Sequence, residues 1–199
     1  MTPVCAKLTA SPICPVLGLS PPMDAFLNLR PVRPEDEPFL RGLRAQVDAE
    51  RLGLQYWTPD SEALAKKIVD LQFNAHAAHY RRVKSNWDTK DCVVEFNGHL
   101  AGRVIVTQDA EVVHLADIAV DRNFRGLGIG HAVIEATKAE CQQSKRVLRL
   151  RVDPLNSAVQ FYLQQGFVVI GNEAASHVME WVPPSLQGKT LYFGPGGGT

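Results

Sequence analysis

The stretch richest in chemistry is Asn123-Phe-Arg-Gly-Leu-Gly-Ile-Gly-His-Ala-Val133, where three glycines alternate with apolar residues behind Arg125. Gly-rich loops of this kind cradle phosphates in several unrelated enzyme classes. A dinucleotide-binding fingerprint needs G-x-G-x-x-G, but its third position falls on His131 when counted from Gly126 and on Val133 from Gly128. A P-loop needs lysine after its last glycine, and His131 stands there instead. Both readings fail on spacing. An anion still fits the context, because the loop leaves a strand and opens a helix. The first amides of a helix point outward unpaired, and the dipole favours negative charge there. Gly126, Gly128 and Gly130 lack the Cβ atoms that would hold a ligand off the backbone. Arg125 adds a fork for a phosphate oxygen.

Other residues could do acid–base work. His114 lies on a strand just upstream, with a pKa suited to neutral pH, although a lone strand histidine can equally be structural. Strand alternation puts His114, Ala116 and Ile118 on one face and Asp117 on the other. Tyr162 lies in Asn156-Ser-Ala-Val-Gln-Phe-Tyr-Leu-Gln-Gln-Gly-Phe167. A phenol with a pKa near ~10 stays protonated at neutral pH and can donate to a stronger base. His76 and His79 have helical spacing, but without a third ligand no metal site is expected. The four cysteines, Cys5, Cys14, Cys92 and Cys141, form no C-x-x-C and read as free thiols in a reducing compartment.

The elements that position these residues follow from periodicity and breakers. Phe26 to Arg33 alternates as a strand, and Pro34 with acidic residues opens a helix over Pro38 to Glu50. Leu64, Ile68, Leu71, Ala75 and Ala78 give a helical stripe within 61–83, broken by Ser85-Asn86 and Asp88 to Asp91. Cys92 to Phe96, Leu100 to Thr107 and Glu111 to Val120 read as strands, the first two joined by the hairpin signal Asn97-Gly98. A helix runs from the glycine loop to Ser144, and Val147 to Val152 is a strand. A helix over Asn156 to Gln165 has Asn156 or Ser157 as N-cap and Gly166 beyond its end. Strands Phe167 to Ile170 and His177 to Trp181 close the domain. Antiparallel hairpins giving way to strand–helix alternation argue for a mixed sheet with helices on both faces.

The chain has 199 residues, 45% apolar and 21% charged, which suits one soluble domain with ragged ends. Residues 1–24 read as a flexible Pro-rich extension, 25–182 as the domain and 183–199 as a disordered Pro/Gly-rich tail. Formal net charge is zero, so no global field draws nucleic acid or anionic membrane. No apolar run approaches the ~18 residues that span a bilayer.

Asp117-Ile-Ala-Val-Asp-Arg-Asn-Phe-Arg-Gly-Leu-Gly-Ile-Gly130 resembles the acetyl-CoA-binding motif of the GNAT superfamily, the Gcn5-related N-acetyltransferases. Arg125, Gly128 and Gly130 match its R/Q-x-x-G-x-G/A core, and Asn156 to Phe167 resembles the motif that follows, N-x-x-A-x-x-x-Y-x-x-x-G-F, with one residue fewer between Asn156 and Tyr162. The resemblance covers about residues 26–182. It implies an α/β (α+β) domain whose mixed, mostly antiparallel sheet has a central splayed parallel pair. It implies acetyl-CoA as donor and a primary amine as acceptor, joined by direct attack in a cytoplasmic enzyme. Ile118, Ala119 and Val120 would pair with the pantetheine arm as an added strand would. The amides of Gly126, Leu127, Gly128, Ile129, Gly130 and His131 would hold the pyrophosphate, and a backbone N–H in the splay would stabilise the oxyanion. Tyr162 would protonate the leaving thiolate, or merely pack under the cofactor. Asn156 would bind the cofactor arm or cap its helix. His114 would be the base, unless water replaces it. Tyr56, Trp57, Phe73, His76 and Tyr80 would line the acceptor pocket. Such domains often pair as homodimers through their late strands. Three alternatives stay open: transfer of another acyl group, action on a protein N-terminus or aminoacyl-tRNA, and a non-catalytic acyl-CoA-binding or partner-binding protein.

Overall fold

The computed structural model describes residues 7–8, 26–51 and 88–188. Its strands are β1 (Lys7–Leu8), β2 (Leu27–Pro31), β3 (Asp88–Phe96), β4 (His99–Gln108), β5 (Val112–Val120), β6 (Val147–Val152), β7 (Val168–Glu173) and β8 (Ser176–Trp181). Its helices are α1 (Glu37–Arg51), α2 (Ile129–Ser144) and α3 (Ala158–Gln164). The strands form one sheet in the order β1-β2-β3-β4-β5-β6-β8-β7. Every neighbouring pair is antiparallel except β5 and β6. This is the mixed sheet that the resemblance implies.

The hairpin between β3 and β4 turns through Asn97 and Gly98, both at positive φ (51° and 81°), as a two-residue turn of the expected kind requires. β3 begins four residues earlier than the sequence suggests. Asp88 to Asp91 read as a helix break, yet they pair with Gln108 to Ile105. Their polarity fits because the side chains find partners: Asp91 accepts from Arg103 at 2.9 and 3.0 Å, and Lys90 pairs with Glu140.

One face of the sheet carries the main core. Val94, Val104, Val113, Leu115, Leu148, Leu150 and Met179 pack there with Ile129, Val133, Ile134 and Cys141 of α2 and with Tyr162 and Phe167. Val93 and Ile105 alternate with those residues and are also buried, so the opposite face is covered too. α1 lies against β4 and β5 and buries Leu40 and Leu43. Helices therefore sit on both faces.

Two irregularities in β5 matter for function. Its parallel pairing with β6 runs only from Val112↔Val147 to Leu115↔Leu150, although β5 continues to Val120 and β6 to Val152. The two strands part there. Pairing with β4 also slips: Val106 opposes Leu115, but Ile105 opposes Asp117. Ala116 is the extra residue of a β-bulge. Beyond it every side chain changes face.

Candidate active site

The glycine loop follows β5 through a short 3₁₀ turn, Arg122–Phe124, capped by Asp121, whose carboxylate accepts from the Asn123 amide at 2.9 Å. Gly126 and Gly128 both lie at φ 77°, the left-handed region that favours glycine. Gly128 ends the loop, and Ala132 N–H to Gly128 C=O, at 3.0 Å, is the first closure of α2. The amides before Ala132 lie ahead of that closure, at the positive end of a 16-residue helix. A Cβ on Gly126 would meet nothing within 4 Å, so the loop is open on that side. The cradle fits a phosphate-bearing ligand.

Arg125 has partners of its own. Its Nε donates to the Val120 carbonyl at 3.0 Å, and its guanidinium pairs with Glu50 of α1 at 2.9 Å. Gln46, one turn earlier on α1, donates to Asp121 and accepts from the Arg122 amide, both at 3.1 Å. The end of α1 thus braces the loop, with Gln46 and Glu50 as residues that sequence reasoning missed. They contact positions about 75 residues away, and no local pattern marks them.

Where β5 has parted from β6, the Ala119 carbonyl points to the opposite, paired edge and faces Gly102 of β4, where a Cβ would come within 2.5 Å of it. Successive peptide groups in a strand point to opposite edges. Ile118 and Val120 therefore direct their backbone groups toward the splay, and Ala119 does not. Gly102 is a second missed residue, and its signal was a lone glycine inside a strand pattern.

Tyr162 is anchored by the end of its helix. Gly166, at φ 79°, follows α3; Phe167 N–H reaches Tyr162 C=O at 3.1 Å and Gly166 N–H reaches Leu163 C=O at 2.9 Å. This pair of bonds is a Schellman motif, which brings Tyr162 and Phe167 together. Their rings meet edge-on at 5.7 Å, and Phe161 packs on Tyr162 at 5.3 Å. Burial, and then the charge of Asp117, push the phenol up to about 12, so it holds its proton. Asn156 caps the helix: its Oδ1 accepts from the Ala158 amide at 2.9 Å. His131 Nδ1 lies 2.7 Å from Gln165 Oε1, joining the start of α2 to the end of α3.

His114 is half-buried beside Arg149 of β6, with Nε2 3.7 Å from Asp109. Burial lowers its pKa, the Asp109 charge opposes that, and Arg149 and Arg151 add to it. Asp109 is fixed by the amides of Glu111 and Val112 at 2.8 and 2.7 Å. The bulge corrects the face assignment made from alternation. Asp117 opposes Ile105, and His114 opposes Thr107, so Asp117 and His114 share the α1 face, while Ile118 joins the core on the other. Tyr56, Trp57, Phe73, His76 and Tyr80 lie outside the described residues. Among those described, no cluster of His, Cys, Asp or Glu could hold a metal, and no helix is long and apolar enough to cross a membrane.

A family profile describing an acetyltransferase (GNAT) domain matches residues 58–187, well over half of the chain. The chain belongs to the GNAT acetyltransferase family. Solved GNAT structures share its fold. PaiA N-acetyltransferase from Thermoplasma acidophilum, solved in complex with coenzyme A, is 19% identical with a TM-score of 0.61, over 78% of this chain and 98% of that one. Ribosomal-protein-S18-alanine N-acetyltransferase from Escherichia coli is 18% identical with a TM-score of 0.53, over 84% and 99%. Ard1 from Thermoplasma volcanium is 19% identical with a TM-score of 0.53, over 79% and 97%. No curated protein matches the sequence. In this GNAT domain the splay and the glycine loop both lie at the C-terminal end of β5, and Tyr162 belongs to the core against which Ile118 and Val120 pack.

Proposed function

We propose that the protein is an acetyl-CoA-dependent N-acetyltransferase that acetylates a primary amine by direct attack in a ternary complex. The observation that carries this is the end of β5–β6 pairing at Leu115 and Leu150, which leaves an open strand edge leading into an anion-binding loop. Acetyl-CoA supplies the acetyl thioester. Ile118 offers its backbone and Val120 its N–H to the pantetheine arm, the Val120 carbonyl being held by Arg125, and the amides from Gly126 to His131 hold the pyrophosphate. Arg125 exchanges part of its Glu50 contact for phosphate. Asn156 keeps its helix cap. Tyr162 delivers its hydroxyl proton to the departing thiolate. His114, kept neutral by burial, takes a proton from the amine, with Asp109 steadying the imidazolium. Tyr56, Trp57, Phe73, His76 and Tyr80 are proposed from sequence to line the acceptor side. Cys141 is a free thiol buried in the core, which fits a reducing compartment such as the cytoplasm. Val168, Val169 and Ile170 are exposed on edge strand β7, which supports pairing of two copies there.

The test combines calorimetry of acetyl-CoA binding with thiol release across a panel of amines. Tyr162→Phe is expected to bind acetyl-CoA normally and lose roughly 10²–10⁴-fold in kcat. Acetyl-CoA binding without amine-stimulated thiol release would support the non-catalytic reading instead.

A further inference from the structure

The helix that carries Tyr162 has seven residues, too few to be stable alone in water, so its place is set by what grips it. The grip converges on Gln165, at its C-terminal end. The Gln165 amide donates to the Phe161 and Tyr162 carbonyls at 3.1 and 3.0 Å. Its carbonyl accepts from Lys138 Nζ at 2.6 Å. Its side-chain Oε1 lies 2.7 Å from His131 Nδ1; an amide oxygen only accepts, so that ring nitrogen carries the proton. His131 and Lys138 stand two turns apart on one face of α2. Lys138 is itself fixed: it is buried, its Nζ also meets Glu135 at 2.7 Å, and the rings of Phe167 and Trp181 lie 5.9 and 5.5 Å away. The two helices come close at Gly130, where a Cβ would lie 3.6 Å from Phe161 Cζ.

We infer that Gln165 is a positioning residue for the transfer step, holding Tyr162 in register with the glycine loop. This rests on the proposed transferase reading of the same site. That reading assigns the pyrophosphate to the start of α2 and the leaving thiolate to Tyr162 of α3. Both groups belong to one donor molecule, so the distance between their protein partners has to match it. The sheet does not set that distance. α2 follows β5 and α3 follows β6, and these strands stop pairing at Leu115 and Leu150. Beyond that point the spacing must be fixed from helix to helix, and Gln165 is where α2 holds α3 by hydrogen bonds. Lys138 takes its main chain and His131 its side chain, at two heights along α2, so both sliding and turning of α3 are resisted. The contacts of Phe161, Tyr162 and Phe167 with one another already hold the end of α3 in the core. The His131 contact adds alignment with the helix that opens at the loop. Loosening it moves Tyr162 relative to the thioester and leaves the phosphate cradle intact.

The experiment is a double-mutant cycle in the full chain: Gln165→Leu and Gln165→Glu, each alone and combined with Tyr162→Phe. Melting temperature, acetyl-CoA affinity by calorimetry, and kcat and KM by thiol release are measured with an amine that the parent accepts. Gln165→Leu removes the acceptor for His131 and keeps every backbone bond. It should lower kcat by roughly 10-fold, the scale of a displacement below 1 Å, with acetyl-CoA affinity within about twofold. Gln165→Glu retains an acceptor oxygen and should recover most of the loss. In the Tyr162→Phe background, Gln165→Leu should cost less than about twofold further, because the group it positions is gone. Gln165→Ala is read in the same cycle, so that a leucine that disturbs packing does not decide the result. An unchanged kcat in the truncated variants, with or without a lower melting temperature, would overturn the inference and leave the transferase reading standing. So would an equal loss with and without the Tyr162 hydroxyl. If no amine stimulates thiol release from the parent, the transferase reading falls and the inference with it.

Discussion

Replacing Gly102 by alanine tests whether β4 and β5 are fitted to each other where the donor strand opens. A Cβ at this position would lie 2.5 Å from the Ala119 carbonyl oxygen and 3.4 Å from Val120 Cα. Real Cβ contacts essentially never fall below 3.0 Å, so the strands must part by at least 3.0 − 2.5 = 0.5 Å. The obstacle is backbone, which cannot rotate away as a side chain can. β4 cannot simply retreat, because β3 pairs along its other edge. Overpacking of this kind costs about 1–3 kcal/mol, or roughly 2–12 °C in Tm for a chain of this size. The displaced segment is the one assigned to the pantetheine arm, and a misplacement of about 1 Å can cost on the order of 100-fold in rate. Gly42→Ala is the control. Its Cβ would meet nothing within 4 Å in the interior of α1, so removing backbone freedom should stabilise by about 0.5–1 kcal/mol. Thermal melts with and without acetyl-CoA read both effects. Gly102→Ala should melt lower and gain less from acetyl-CoA, while Gly42→Ala melts slightly higher. A Gly102→Ala protein that melts with the parent and keeps its full acetyl-CoA shift would refute the reasoning.

Two further outcomes follow from charge placement. Asp36 is buried, gripped by Arg30 at 2.7 and 2.8 Å and by the Arg33 amide at 2.8 Å, and the Arg30 contact above all holds its carboxyl at about 2 against an ordinary 3.8. A depressed carboxyl stabilises above its unfolded pKa and stops doing so as pH falls through the folded one. Asp36 thus contributes about 2 kcal/mol at neutral pH, lost between about pH 4 and 2. Asp36→Asn should lose at least that in urea unfolding at pH 7, with a shallower decline in acid. Glu50→Gln leaves the Arg125 charge unbalanced, so acetyl-CoA binding should tighten about two- to fivefold, within the worth of an exposed pair. Calorimetry at two ionic strengths checks this, and weaker binding would contradict the assigned competition.

Much of the frame was legible because local signals agreed with tertiary demands. Asn97-Gly98 marked a hairpin, Gly166 a helix end, and the spacing of Gly126, Gly128 and Gly130 a helix start. Tyr162 was legible for the same reason, since the glycine four residues on fixes the turn that holds it against Phe167. The start of β3 was not, because Asp88 to Asp91 look like a break until Arg103 and Glu140 supply their partners. Gln46 and Glu50 were invisible for a related reason: their roles depend on a loop far along the chain.

The face of Asp117 was illegible on different grounds. In Val112 to Val120, apolar residues stand on both parities, as they do in any strand covered on both sides, so alternation cannot reveal one inserted residue. That residue, Ala116, falls immediately after the last pair with β6. A bulge bends its strand and increases the local twist. One insertion therefore does two things at one place: it turns β5 away from β6, and it rotates Asp117 from the core face to the face of His114. The open edge assigned to the donor and the change of face at Asp117 have a common structural origin. Their spacing is set by a single strand and owes nothing to how loops outside the sheet are arranged.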